Sequence, residues 1–442
     1  MPALSRRSFL TAAAALAAPP AAGAVAASGE VDVVVVGAGA AGIAAARRVA
    51  GTRRSFALVE ASSRIGGRCI TDTETFGVPF DLGAHWIHMP DINPLAKLAP
   101  KSGLDVYPAP PGQRLRIGQR NAREGEMEDF LAALVRSTRA IGDAARGRTD
   151  MSCEQALPKD LGDWRACVEF VLGPFGCGKN LDAISALDFA TSAERDVDAF
   201  CRQGFGALLA RLADGLTVQL GTVVTRIDSS SRNVVVETGN GRLNARAVIV
   251  TASTGVLAAG RIKFVPDLPK RHAEAIARLT LGSYDHVALE LPGNPLGLQS
   301  DDLVFEKATG PGTGAVLANL SGTPLCLVEV GGGFGAGLAA AGQDAMVAFA
   351  RDWLAEMFGT DVKARIRRAR ATQWCKQPFA LGSFSAAPPG GQWGRKALME
   401  PVHDRIFFAG EAVHESLWGT VGGAWESGER AANAVLGRLE RG

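Results

Sequence analysis

Val31-Asp32-Val33-Val34-Val35-Val36-Gly37-Ala38-Gly39-Ala40-Ala41-Gly42 is a β-branched run that turns through three glycines into an alanine-rich segment reaching about Val49. A run of this kind, broken only by Asp32, is what a strand buried on both faces requires. Each glycine then has a separate task. Gly37 makes the tight turn, Gly39 lets a pyrophosphate approach the backbone, and Gly42 lets the following helix sit against the strand, with the helix N-terminus facing the anion. The next apolar strand, Phe56 to Val59, ends at Glu60, whose carboxylate can accept hydrogen bonds from an adenosine ribose. Strand, glycines, helix, strand and terminal acid in this order predict a dinucleotide-binding unit.

The 442 residues suffice for two or three domains, or for one large core with a second lobe inserted into it. An apolar share of 47% and a charged share of 21% are ordinary for a folded protein, and 53 Gly with 22 Pro imply many turns. The net charge is +2 with no long basic run, which argues against nucleic acid as a partner. At the start, Ser5-Arg6-Arg7-Ser8-Phe9-Leu10 is a twin-arginine pair followed by apolar residues, and no charged residue appears until Glu30. The apolar stretch stops at Pro19 and Pro20, too short for a membrane anchor, and Ala24 and Ala26 offer a cleavage site. Residues 1–29 therefore read as a signal for the twin-arginine export machinery, predicting a periplasmic or secreted protein exported already folded. Removing Arg6 and Arg7 leaves 45 of the 47 basic residues against 45 acidic ones, so net charge steers nothing. Seven scattered cysteines form no CxxC pair and no metal-ligand pattern, so no metal site is expected and the thiols read as small buried hydrophobes.

Close behind the ribose acid come Arg64-Ile65-Gly66-Gly67-Arg68, a second glycine pair flanked by fork-shaped donors suited to a diphosphate. From here through Asp81-Leu82-Gly83-Ala84-His85-Trp86-Ile87-His88 the sequence resembles the flavin-containing amine oxidase family, which includes monoamine oxidases, polyamine oxidases and flavin-dependent histone demethylases. The resemblance resumes near the C-terminus, where an apolar strand at Arg405 to Phe408 leads to Ala409-Gly410-Glu411-Ala412 and then Trp418-Gly419-Thr420-Val421-Gly422-Gly423-Ala424, opening a helix to about Leu439. A helix N-terminus there sets partial positive charge where a reduced flavin gathers negative charge, and Gly422 and Gly423 read as room for the flat ring. The resemblance implies an α/β fold: a Rossmann-like FAD-binding domain with an inserted α+β substrate domain, in the amine oxidase or p-hydroxybenzoate hydroxylase-like two-domain architecture. On this reading residues 30–88, 200–283 and 370–442 build the FAD domain. Residues 89–199, mostly helical, and 284–369, with strands and a helix, build the substrate domain. In the middle block, Gly239-Asn240-Gly241 reads as a hairpin turn and Arg246 to Thr251 as another buried strand.

The cofactor-binding residues implied are Gly37, Gly39, Gly42, Glu60, Arg64, Gly67, Arg68, Trp86, Val224, Gly410, Glu411, Thr420 and Val421, with Val224 meeting the adenine and Glu411 holding the ribityl and diphosphate region. Where monoamine oxidases carry a cysteine bonded to the flavin, this chain has Ser383, so FAD should be noncovalent. Phe384 falls at one wall of the family's aromatic cage, Thr420 stands where monoamine oxidases place the opposite aromatic, and Trp418 is the candidate to complete it. Most members put a lysine where His286 stands. The imidazole should either hold the lysine's water or act as a base with a pKa nearer neutrality.

The activity implied is FAD-dependent oxidation of a mono- or polyamine to an imine, by hydride transfer from the α C–H to flavin N5, followed by imine hydrolysis. O2 or another acceptor then reoxidises the flavin. The same architecture also serves amino-acid oxidases, desaturases and protoporphyrinogen oxidases, and a noncatalytic FAD-bound protein is the reading from a different class. The acidic run Glu124, Glu126, Glu128 and Asp129 would suit a polyamine, but such a run is usually a solvated face.

Overall fold

The computed structural model describes residues 30–192 and 197–441. The twin-arginine pair and the rest of residues 1–29 lie outside the described residues. The Val31 run forms the strand Glu30–Val36 at the centre of an eight-stranded sheet. It pairs in parallel with Phe56–Val59 on one side and Gly241–Val250 on the other. Val33, Val34 and Val35 are fully buried because helices cover both faces, which is why the run shows no alternation. Helix Ala40–Ala50 starts three residues after Gly37, with Gly39 as its N-cap.

The strand expected at Arg246 to Thr251 is longer, spanning Gly241–Val250, and its two halves have different neighbours. Residues 241–245 pair antiparallel with Val234–Thr238 across the Gly239-Asn240 turn and alternate between exposed and buried. Residues 248–250 lie between Glu30–Val36 and Ile406–Phe408 in parallel, and are continuously buried. Only that second half carries the apolar run of a central strand, so only that half is visible in the sequence.

A second, seven-stranded sheet runs in the order Ala369–Ala371, Tyr284–Glu290, Leu325–Gly331, Ala315–Leu317, Leu303–Glu306, Arg114–Ile117, Arg120–Asn121. Its last two strands come from the otherwise mostly helical stretch 89–199, so both inserted stretches share one sheet. Arg114–Ile117 reads RLRI, half charged, because only one of its faces is covered. Strand Asp198–Cys201 crosses from that stretch into the next and pairs with Ile87–His88. Helix Glu124–Ala145 begins with the acidic run, where Glu126 closes a capping box and pairs with exposed Arg120. Glu124, Glu128 and Asp129 are exposed and lie outside the cavity lining, so the run is a solvated helix start that also suits the helix dipole. Six of the seven cysteines are buried, and only Cys375 is exposed. Among the described residues no acid, cysteine and histidine cluster suits a metal, and no helix is long and apolar enough to cross a membrane.

Three segments distant in sequence meet around one buried ion pair. Arg395 is fully buried, and its Nε and Nη2 donate to the two carboxylate oxygens of Asp188 at 2.7 and 2.8 Å. Its Nη1 donates to Ser385 Oγ and to the Ala412 carbonyl, both at 3.2 Å. Removing one member of such a pair strands a buried charge, at a cost of about 3–5 kcal/mol. Arg395→Met should lose stability of that order in urea denaturation, and adding Asp188→Leu should recover part of it. Equal midpoints for wild type and Arg395→Met would show that the pair does not hold these segments.

Candidate active site

One cavity of about 1610 Å³ is lined by residues of both sheets, larger than the ~300–1,000 Å³ that suits an ordinary small ligand. At its dinucleotide end the backbone leaves room for nothing but glycine at two of the three motif positions. Gly37 has φ +102°, and a Cβ there would stand 2.5 Å from Thr251 Oγ1; a Cβ on Gly42 would stand 1.8 Å from the Gly37 carbonyl oxygen. Gly39 differs, because a Cβ would meet nothing closer than 3.9 Å and the residue faces the cavity, where a pyrophosphate would take the space. Gly66 and Gly67 both have positive φ, and Gly66 forms a bridge to Gly39, so the two glycine motifs stand side by side.

Glu60 is buried at the end of its strand. Its Oε2 accepts from the Ala38 N–H at 2.7 Å, and Oε1 accepts from the Ser62 N–H and hydroxyl. A carboxylate has about four lone-pair sites, so these bonds orient it and leave capacity for a ribose. Arg64 donates to the carbonyls of Ile65 and Gly67, bracing the second glycine pair from below. Arg68 reaches the Ser383 carbonyl and pairs with Glu411 Oε1 at 3.0 Å. The other oxygen of Glu411 accepts from Ser385 Oγ at 2.7 Å and from the Gly419 N–H at 3.1 Å. Burial pushes the Glu411 carboxyl up, but Arg68, the Ser385 hydroxyl and Arg395 outweigh it and hold the group below the usual carboxylate range. Glu411 therefore acts as an ionised staple joining the second glycine motif, the Ser383–Ser385 segment and the loop before the C-terminal helix. Val224 and Gly410 line the same cavity.

Thr420 and Val421 also line it, at the N-terminus of helix Val421–Arg441. The Thr420 hydroxyl accepts from the Gly423 N–H at 2.9 Å, which caps the helix and aims its positive end at the cavity. Gly422 and Gly423 do not line the cavity. A Cβ on Gly423 would strike the Leu417 carbonyl oxygen at 2.0 Å, and one on Gly422 would meet Asn93 at 3.0 Å. The two glycines serve the chain's own packing, and the expected room for a flat ring lies elsewhere along the wall.

On the substrate side the expectations need two corrections. Trp418 touches the cavity, yet it is only 1% exposed and packs among core residues with the Arg395 guanidinium 4.6 Å over its ring. The cation occupies one face of the ring, and Trp418 is not the ring paired with Phe384. The ring beside Phe384 is Tyr284, at a centroid distance of 5.8 Å, followed by Phe175 at 6.2 Å from Tyr284, and all three line the cavity. His286 is at the cavity wall as expected, but buried: desolvation pushes its pKa down to about 4, against the opposing pull of the Asp81 carbonyl. It is a neutral imidazole at neutral pH. Its Nδ1 lies 3.0 Å from the Asp81 carbonyl oxygen, which can only accept, so Nδ1 carries the proton and Nε2 the lone pair.

Trp86, also on this wall, donates Nε1–H to Glu329 at 3.3 Å. The sequence did not single out Tyr284, Glu329, Phe175 or Thr251. Tyr284 and Glu329 face each other only through strand pairing between distant segments. An acid inside the otherwise apolar, fully buried strand Leu325–Gly331 is the one local signal available for Glu329.

The family model for flavin-containing amine oxidoreductases matches residues 40–436. The chain belongs to that family. It is a FAD-dependent amine oxidase, and its glycine cradle, ribose acid and capped C-terminal helix are the parts that fit FAD. It is 26% identical to probable polyamine oxidase 4 of Arabidopsis thaliana, over 90% of this chain and 86% of that protein. It is likewise 26% identical to human lysine-specific histone demethylase 2, over 91% of this chain but only 53% of that longer protein. Among solved structures, cyclohexylamine oxidase from Brevibacterium oxydans superposes with a TM-score of 0.78 at 23% identity, covering 93% of this chain and all of that one. Putrescine oxidase bound to putrescine superposes with a TM-score of 0.79 at 19% identity, covering 92% of this chain and 99% of that one.

Gly42→Ala should abolish FAD retention, because the added methyl falls on the Gly37 carbonyl and must push the helix start away from the strand. The check is the flavin-to-protein absorbance ratio after purification; a full complement of flavin would show that the close approach is dispensable.

Proposed function

We propose that this protein binds a mono- or polyamine in the aromatic part of the cavity, oxidises it to an imine with noncovalent FAD, and passes the electrons to O2 or another acceptor. The observation that carries this is one wall holding Tyr284, Phe384 and Phe175 together with His286, whose Nε2 carries the lone pair of the neutral ring. FAD supplies the two-electron acceptor. The chain's own residues do the rest.

The aromatic faces exclude water and present electron-rich surface to the amine nitrogen. Holding the α carbon at a fixed approach turns a bimolecular encounter into an oriented one. The ammonium must first lose a proton, since its lone pair drives the hydride out, and a neutral imidazole at the wall is suited to receive it. The N-terminus of helix Val421–Arg441 favours negative charge at its end of the cavity. Asp198 and Asp301 also line the cavity, and either carboxylate suits a second cationic nitrogen, which keeps polyamines in the substrate class. Ser383 Oγ donates to the Gly282 carbonyl at 2.9 Å, and a hydroxyl makes no thioether, which supports noncovalent FAD.

The purified yellow protein, incubated with a panel of mono-, di- and polyamines, should yield the aldehyde or ketone of at least one, with anaerobic bleaching of the flavin. Acid precipitation should leave the flavin in the supernatant. Inertness to every amine, together with turnover of an amino acid or a porphyrinogen, would replace this reading.

We also propose that residues 1–29 direct export of the folded, FAD-loaded chain to the periplasm or beyond, resting on Arg6, Arg7 and the uncharged stretch to Glu30. Replacing both arginines by lysine in the full-length chain should leave the protein in the cytoplasm on fractionation. Undiminished export would discard the assignment.

A further inference from the structure

With an amine as substrate, we propose that Glu329 and His286 form a one-proton pair that takes up the proton shed by the substrate ammonium, Glu329 being the buried charge that makes the imidazole an effective acceptor. The two residues stand directly opposite each other in the antiparallel pairing of Tyr284–Glu290 with Leu325–Gly331, so their side chains share a face of the sheet. His286 Nε2 is 3.6 Å from Glu329 Oε1, and both side chains are at most 3% exposed. Because Nδ1–H is committed to the Asp81 carbonyl, Nε2 carries the ring's one lone pair, and at 3.6 Å from Oε1 it lies beside the carboxyl without a hydrogen bond to it. Two acceptors this close and this buried are best accommodated with one proton held by the pair.

Glu329 is a positioning residue here. It does not line the cavity; His286, Tyr284 and Trp86 do, and all three face it. Trp86 Nε1–H occupies Oε1, whereas Oε2 has no hydrogen-bond partner within 3.5 Å among the described residues, and the neighbouring Tyr284 hydroxyl favours the ionised carboxyl. The other charged or titratable groups acting on the pair are few. His85 approaches from the segment after the second glycine motif, and is itself held by Asp81 at 2.8 Å and felt by Asp301. No Lys or Arg is among the groups that act on either member.

Burial raises the Glu329 carboxyl to about 7, with the Trp86 hydrogen bond opposing, while His286 is lowered to about 4. At rest below about pH 7 the pair's proton therefore sits on Glu329 and the pair is full. Above it the carboxylate is ionised and the pair is empty. In the step itself an N–H bond of the ammonium breaks and an N–H bond forms at His286 Nε2. The electron pair stays on the amine nitrogen, and the new imidazolium lies against the Glu329 carboxylate. The pair's charge goes from minus one to zero as the substrate's goes from plus one to zero. No oxidant or further reactant enters. The direction follows: reduction of the flavin by saturating amine rises as pH passes upward through about 7 and then levels.

The test uses the FAD-loaded protein and Glu329→Gln, which keeps the shape and cannot ionise. Stopped-flow flavin reduction should lose the limb near pH 7 and fall at least about tenfold on its alkaline side, the lower end of what a lost acid–base group costs. Glu329→Asp should keep a limb at reduced rate, which a packing role would not predict. Independently of any substrate, difference infrared spectra of the wild type should show a protonated carboxyl band that fades through about pH 7 and is absent from Glu329→Gln. A Glu329→Gln profile that keeps the wild-type limb overturns the proposal. So does a wild-type protein with no carboxyl band titrating there, a result that needs no variant. If no amine reduces the flavin, the amine reading fails on its own account, and the infrared result still decides whether Glu329 holds the proton.

Discussion

Two helices from opposite ends of the chain aim their N-termini at one cavity because nothing bulkier than hydrogen stands where each meets its neighbour. A Cβ on Gly42 would overlap the Gly37 carbonyl, and a Cβ on Gly428 would lie 2.1 Å from the carbonyl of Ala41. The first contact seats helix Ala40–Ala50 on the central strand. The second presses helix Val421–Arg441 against that helix, backbone on backbone. Close-packed interiors tolerate no added methyl at such points. With both helices in place the pyrophosphate end and the flavin end of the cavity have fixed separation and polarity. Everything catalytic is hung on that frame.

The frame is stiffened by charge placed where water cannot reach it. Glu411 joins Arg68, Ser385 and the Gly419 N–H, while Arg395 joins Asp188, Ser385 and the Ala412 carbonyl. The two networks share Ser385, so the segment carrying Ser383 and Phe384 is held from both sides. Each buried charge here has a partner of opposite sign and further hydrogen bonds, the condition under which burial is tolerable.

Charge on the substrate side is arranged differently. Where most members of the family carry a lysine, this chain carries a neutral imidazole backed by an acid. A lysine would bring its own positive charge to the wall; His286 brings none at neutral pH, and Glu329 behind it is raised toward neutrality by the same apolar surroundings. The dry environment that lowers one group raises the other, which is how a single pocket keeps two titratable groups out of their usual ranges.

The cofactor half of the molecule was legible from residues alone, because glycine spacing, a β-branched run and a strand-terminal acid are local requirements of backbone geometry and each leaves a local trace. Gly37, Gly39, Glu60 and Gly67 line the one cavity, and Gly42 lies against the Gly37 carbonyl. The substrate half was legible only at Phe384 and His286, which line the cavity. Tyr284 beside Phe384, Glu329 behind His286, and the shared sheet that brings Arg114–Ile117 to Leu303–Glu306 all depend on register between strands far apart in sequence. Trp418 shows the converse: its position in the motif suggested a cage wall, and only packing against Arg395 turned it into core. Local sequence determines where the backbone must bend, approach or stop. Which side chains then face one another across a cavity is decided by long-range pairing, because a strand's two faces are equivalent until a neighbour covers one of them.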